Sequence, residues 1–132
     1  MKSNILAAIF VIAALAVRSI SGEQVPQFRP ATLMAVVTAY SSSRRQTSPH
    51  PRITASGKHV FNGVVACPRR FAFGTRVSIE GKVYECQDRL NRKYDNRFDI
   101  WRPSTAAARL FGKRQLPVTI VQVPDEQEIP VE

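Results

Sequence analysis

Between residues 88 and 101 the chain reads Asp88-Arg-Leu-Asn-Arg-Lys-Tyr-Asp95-Asn-Arg-Phe-Asp99-Ile-Trp101. Three of the six acids found between residues 23 and 123 lie in this stretch, in a body that carries 17 Lys and Arg. No Ser/His/Asp order, phosphate-binding loop or dinucleotide glycine pattern occurs anywhere, so the carboxylates are the main candidates for acid–base chemistry. Asp99 is flanked by Phe98, Ile100 and Trp101. Apolar surroundings raise a carboxyl pKa and keep the group protonated as a general acid. Asp88 sits between Gln87 and Arg89, and a neighbouring guanidinium favours the negative charge. Two carboxyls held in opposite protonation states are the equipment of glycosidic-bond chemistry. The competing reading is that these acids only balance arginines in surface ion pairs.

Cys67 and Cys86 are the only cysteines. In an exported chain two thiols most often pair, and a loop of this length stabilises by about 3 kcal/mol in the chain-entropy model. A catalytic thiolate or a metal site with His50 and His59 are the alternatives. No CxxC or HExxH spacing supports a metal. A nucleophilic cysteine needs a positioned histidine, and both histidines lie in Pro/Gly/Ser-rich sequence. No metal or other cofactor is expected.

The elements that must hold these groups are mostly short strands. Met34–Tyr40 is apolar and β-branched, a buried strand. Val64 and Val65 begin another. Residues 76–80 and 82–86 alternate in polarity around the turn Glu80-Gly81, which predicts a hairpin with one buried face. Phe98–Trp101 and Pro117–Val123 are the remaining candidates. One helix is expected over Thr105–Phe111, capped by Ser104 and closed by Gly112. Many short strands with one short helix predict an all-β small barrel, whose closure removes exposed edges.

Residues 1–22 have the parts of a secretory signal. Lys2 supplies a charged start, Ile5–Val17 is a run without charge, and Ser19, Ser21 and Gly22 form a small-residue exit. The run is too short to span a bilayer, which takes about 20 apolar residues. An uncleaved signal anchor is the alternative; either way the functional part lies outside the cytoplasm, secreted, periplasmic or in the cell envelope. Residues 23–33 read as a linker, 34–123 as the domain, and 124–132 as an acidic, Pro-punctuated tail. The net charge of +9 predicts an anionic partner. Arg44, Arg45, Arg69, Arg70, Arg92 and Arg97 could meet carboxylates or phosphates, or form only a solvated face. Nucleic acid is not expected, since no base-stacking aromatic motif is present. Tyr40 and Trp101 could stack on sugar rings, although aromatics at strand positions are more often core.

Thr38-Ala39-Tyr40, Ile53-Thr-Ala-Ser-Gly57, Gly63-Val-Val-Ala66, Phe73-Gly-Thr75, Asp88, Phe98-Asp-Ile-Trp101 and Ala108–Gly112 occur in the order that resembles the 3D domain, named for its aspartates. The resemblance runs from about Ala35 to Val121. It implies a six-stranded double-psi β-barrel, as in the C-terminal domain of membrane-bound lytic transglycosylase A and in small secreted proteins related to resuscitation and stationary-phase survival. Such enzymes cut the bond between N-acetylmuramic acid and N-acetylglucosamine in peptidoglycan and leave a 1,6-anhydro product. Asp99 matches the aspartate that acts first as acid and then as base; Asp88 matches its supporting partner. Thr54, within the matched Ile-Thr-Ala-Ser-Gly run, is expected to donate a hydrogen bond to substrate, and Tyr40, Asp95 and Arg97 complete the expected substrate-binding set. The implied partner is the peptidoglycan glycan strand.

The chain also departs from the pattern. Ala66-Cys67-Pro68 stands where the family often has Ala-Val-Asp-Pro, and Arg89-Leu90-Asn91 stands where many members have Gly-Gly. Asp95 restores the count of three aspartates at a different position. The larger enzymes bind glycan between this barrel and a second domain, so a bare barrel would need a homodimer for a full groove or would bind without cutting. A non-catalytic wall-binding module and an expansin-like wall-loosening protein are the rival functions.

Overall fold

The computed structural model describes residues 28–43 and 49–124. The expected signal segment, Arg44 and Arg45, and the tail beyond Pro124 lie outside the described residues. Six strands, β1 (Ala31–Tyr40), β2 (Val64–Ala66), β3 (Arg76–Ile79), β4 (Lys82–Asp88), β5 (Arg97–Trp101) and β6 (Arg114–Gln122), close into a barrel in the order β1-β5-β2-β4-β3-β6. A single helix, α1 (Thr105–Phe111), and a 3-10 turn at Arg92–Tyr94 complete the described elements. Pairs β1/β5 and β2/β4 are parallel, and the other four are antiparallel. Because β5 lies between β1 and β2, and β2 lies between β5 and β4, the connections β1–β2 and β4–β5 each cross one intervening strand. Two interlocked crossovers of this kind are the double-psi arrangement.

Inward positions alternate with outward ones along each strand, as the pleat requires. Val37, Val65, Val77, Ile79, Tyr84, Phe98, Ile100 and Val118 fill the interior. Each such side chain contributes about 1.5–3 kcal/mol through burial. Cys67 and Cys86 are joined by a disulfide inside this core, Cα atoms 5.6 Å apart, so that β2 and β4 are covalently tied where they pair. That linkage removes both thiols from any role as nucleophile or ligand. The Glu80-Gly81 turn has φ of 51° and 75°, the two positive values of a type I′ hairpin turn. Ser104 Oγ accepts from Ala107 N–H at the start of α1, and Gly112 takes φ 70° at its end.

Two strands are longer than the sequence suggests. β1 begins at Ala31 rather than Met34, and β6 at Arg114 rather than Pro117. Pro117 marks no boundary because β3 ends its pairing at Val118, so residues 114–117 pair with β1 alone. A proline is tolerated on such an edge-like stretch, where one side of the ladder is vacant. No helix of the described residues is long and apolar enough to cross a membrane.

Candidate active site

The register of four neighbouring strands creates one row of side chains. Thr38 pairs with Asp99 across β1/β5, Asp99 with Ala66 across β5/β2, and Ala66 with Asp88 across β2/β4. Directly paired residues point to the same face. Phe98 and Ile100 point into the core, so Asp99 and the rest of the row point out. Only the methyl of Ala66 stands between the two carboxylates.

Asp88 reaches this face through an irregularity. Tyr84 and Cys86 are core residues, and a period of two would turn Asp88 inward as well. The register passes instead from Val65↔Cys86 to Ala66↔Asp88, leaving Gln87 unmatched. One extra residue inverts the alternation and moves Asp88 from the core to the row. Gln87 is itself buried; its side-chain amide donates to Glu85, and its main-chain carbonyl accepts from Ser56 N–H at 3.1 Å.

The two carboxyls have different environments. Burial raises the Asp99 pKa to about 6, and the charge of Asp88 adds to the rise; the hydrogen bond from Thr38 and the charge of Arg97 act against it. The Thr38 hydroxyl donates to Asp99 Oδ1 at 2.9 Å. Asp88 accepts three bonds: Tyr40 OH to Oδ2 at 2.6 Å, and Ala55 N–H and Arg89 N–H to Oδ1, each at 2.9 Å. Burial first, and then Asp88, push the Tyr40 hydroxyl far above its ordinary range, so it stays a donor. The sequence reading anticipates the rise at Asp99 but assigns it to the wrong neighbours, because Phe98 and Ile100 face the opposite side of β5. Its assignment of Arg89 to Asp88 holds for charge, since the two attract, but not for a side-chain hydrogen bond. The Arg89 guanidinium turns away to the carbonyls of Cys67 (3.2 Å) and Phe71 (2.7 Å) and stacks on Phe73. The hydrogen bond to Asp88 comes from its backbone N–H alone, while its charge acts without direct contact.

A cleft of about 790 Å³ lies over the row. Tyr40, Ala66, Asp88 and Asp99 contribute to it from the barrel. The β1–β2 connection adds His50, Ile53, Thr54 and Ala55, and the β4–β5 connection adds Leu90, Asn91 and Tyr94. The two crossovers that define the topology therefore also wall the site. Thr54 is nearly buried; its hydroxyl pairs with Ser56 Oγ at 2.9 Å and accepts Lys58 N–H at 3.2 Å, shaping the loop that delivers Ala55 to Asp88.

Asp99, Asp88, Tyr40 and Thr54 thus meet in one place, whereas Asp95 and Arg97 are not among the residues lining the cleft. Asp95 accepts from Arg69 N–H at 3.0 Å and from its guanidinium at 2.8 Å. Arg97 stacks on Tyr94, 4.5 Å from the ring centre. Trp101 is outside the lining and donates to Ser42 Oγ at 3.0 Å; Tyr94 is the exposed aromatic of the cleft. Asn91 and Tyr94 escape the sequence reading, which names Arg69 only among the arginines that could meet carboxylates or phosphates and His50 only as a metal-ligand alternative. Asn91 had a local signal, since its side chain caps the 3-10 turn by accepting Lys93 N–H. The place of Arg69 in the cleft had no local signal, because its partners Asp95 and Leu90 are distant in sequence.

Among the described residues no three His, Cys, Asp or Glu side chains group as metal ligands. No protein-family model matches the chain, and no curated protein matches it.

Proposed function

We propose that this chain is a lytic transglycosylase of the peptidoglycan strand, of the kind its 3D-domain-like motifs suggest. Asp99 protonates the glycosidic oxygen, and the bond from that oxygen to the muramic C1 breaks. Positive charge grows on the ring and is met by the nearby carboxylate of Asp88. Asp99, now ionised, takes the proton of the same sugar's 6-hydroxyl as that oxygen attacks C1. The product is a 1,6-anhydro sugar, and Asp99 ends in the protonated form in which it began. Water takes no part, so the reaction needs a general acid and a base in one position rather than a second carboxylate poised to activate water.

The observation that carries this reading is a pair of carboxyls in one row with opposed environments: Asp99 half-buried, with its pKa raised to about 6 by desolvation, and Asp88 satisfied by three donors. Carboxyl pairs separated in this way divide acid and charge-stabilising roles. A cleft of about 790 Å³ is large enough for sugar rings. The disulfide supports an oxidising compartment, where a wall-acting protein would work.

The test is mass spectrometry of soluble fragments released from purified peptidoglycan by the wild-type protein and by Asp99→Asn. Anhydro-muropeptides from the wild type alone are expected. Hydrated fragments would replace the mechanism with hydrolysis. Binding to sacculi that survives Asp99→Asn, with no fragments from either protein, would overturn the enzyme in favour of a wall-binding module.

A further inference from the structure

The carboxylate row occupies only part of the cleft, and the polar groups of its loop wall have the opposite character. His50, Arg69, Arg89 and Asn91 all line it. Arg89 is committed to main-chain carbonyls and to Phe73, which makes it part of the wall. Arg69 is held at two points, with Nη1 on Asp95 Oδ1 at 2.8 Å and Nη2 on Leu90 O at 3.2 Å. A guanidinium has five N–H donors, so three remain on a side chain already held at two points. Asn91 is similarly oriented. Its Oδ1 accepts Lys93 N–H at 3.1 Å, and its amide nitrogen has no hydrogen-bond partner among the described residues. The His50 imidazole also has none among them.

The surrounding field has one sign. Residues 89–97 contain Arg89, Arg92, Lys93 and Arg97 against the single acid Asp95. One carboxylate already shared with Arg69 cannot neutralise that loop. Neutral sugar rings present donors and acceptors in mixture and would be served by a mixed wall. A wall of oriented donors in a positive field suits an anion.

We infer that Arg69, Asn91 and His50 form an anion subsite beside the catalytic row, which binds a carboxylate of the peptide stem carried by the glycan. This rests on the glycan-cleaving reading and gives it direction. The row itself repels a carboxylate, so an anion seated on the loop wall fixes which way the strand lies across Asp99. Preorganised, charge-assisted hydrogen bonds account for the gain in affinity.

The test uses Asp99→Asn protein, which holds strands without consuming them, and measures calorimetric affinity for three probes: stem-bearing glycan strands, the same strands stripped of stems by an amidase, and the free stem tetrapeptide. Stem-bearing strands should bind about tenfold more tightly than stripped ones. Arg69→Gln, added to that background, should bring this ratio below about twofold, with Arg69→Lys intermediate because it keeps the charge but loses the fork. His50→Gln should also shrink the ratio and, having no hydrogen-bond partner to lose among the described residues, guards against a folding defect at Arg69. A ratio near one, or a ratio unmoved by both Arg69→Gln and His50→Gln, would overturn the subsite. Polyphosphate displacing the tetrapeptide more strongly than a second stem peptide does would overturn the carboxylate assignment in favour of phosphate. If the wild type neither binds nor cuts any strand yet binds the tetrapeptide through Arg69, the transglycosylase reading fails and the anion subsite stands.

Discussion

Two rows of outward-facing side chains cross this barrel, on opposite halves, and the same ladder physics builds both. On one half Thr38, Asp99, Ala66 and Asp88 align across β1, β5, β2 and β4. On the other, Thr32, Thr119, Ser78 and Val83 align across β1, β6, β3 and β4. The second row has its own hydrogen bond, Thr32 Oγ1 to Thr119 Oγ1 at 2.8 Å, but the contact is exposed and its groups are neutral. The first row is covered by two crossover connections and is broken by a bulge that brings in a carboxylate. Alignment is therefore general in a sheet; reactivity additionally requires cover, which desolvates one acid, and an irregularity, which delivers the other. The crossovers supply cover only where the strands are parallel, because a parallel pair cannot be closed by a tight turn.

The sharpest way to break this contrast is Asp99→Asn. Removing a general acid costs about 10²–10⁴-fold in rate, and release of anhydro-muropeptides should fall accordingly. The same variant should be the more stable protein in neutral solution. A carboxyl with a pKa raised from 3.8 to about 6 lets folding proceed without penalty below the lower value. The penalty appears as pH rises between the two and is complete above about 6. Asp99→Asn should therefore gain on the order of 2 kcal/mol by urea denaturation at about pH 8 and nothing at about pH 3.5.

Next in size is the double variant Cys67→Ala/Cys86→Ala, which should lose about 3 kcal/mol in urea. The loss should also abolish activity before unfolding is complete, because the disulfide joins β2 to β4 beside the bulge. Tyr40→Phe follows. It removes one of three donors to Asp88 and leaves that oxygen short of a partner, a change of about 1–3 kcal/mol. A fall of about tenfold in kcat with a smaller change in KM is expected.

The finest test compares two threonines. Activity of the wild type should decline above about pH 6 as Asp99 ionises. The Thr38 hydroxyl lowers that pKa, so Thr38→Val should move the alkaline limb upward. Thr119→Val, the equivalent change in the other row, should leave the limb in place and alter stability by under about 1 kcal/mol. Equal effects of the two substitutions would remove the distinction between the rows.

Much of the frame was legible because it is local. Ser104 and Gly112 bound the helix, Glu80-Gly81 makes the hairpin turn, and alternation marks β3 and β4. The pair Asp88 and Asp99 stood out as acids in a basic body. The mistaken details all concern direction. Residues adjacent in sequence do not surround each other in a strand, so Phe98 and Ile100 told nothing about the space around Asp99. Arg89 shows the same limit, with its main chain on Asp88 and its side chain elsewhere. Asp95 counts as a third aspartate in the sequence, yet in the fold it is the anchor of Arg69.

Residue types and their alternation determined that the chain forms short strands around an apolar interior, which acids are available, and which two thiols can pair. These properties depend on neighbours a few residues away and on solvation of each side chain by itself. Tertiary structure alone decided that Asp88 shares a face with Asp99, since one unmatched residue at Gln87 reverses a strand's alternation and nothing local announces it. It also decided which carboxyl loses its water, because the loops that cover Asp99 come from connections distant in sequence and act only once the barrel has closed.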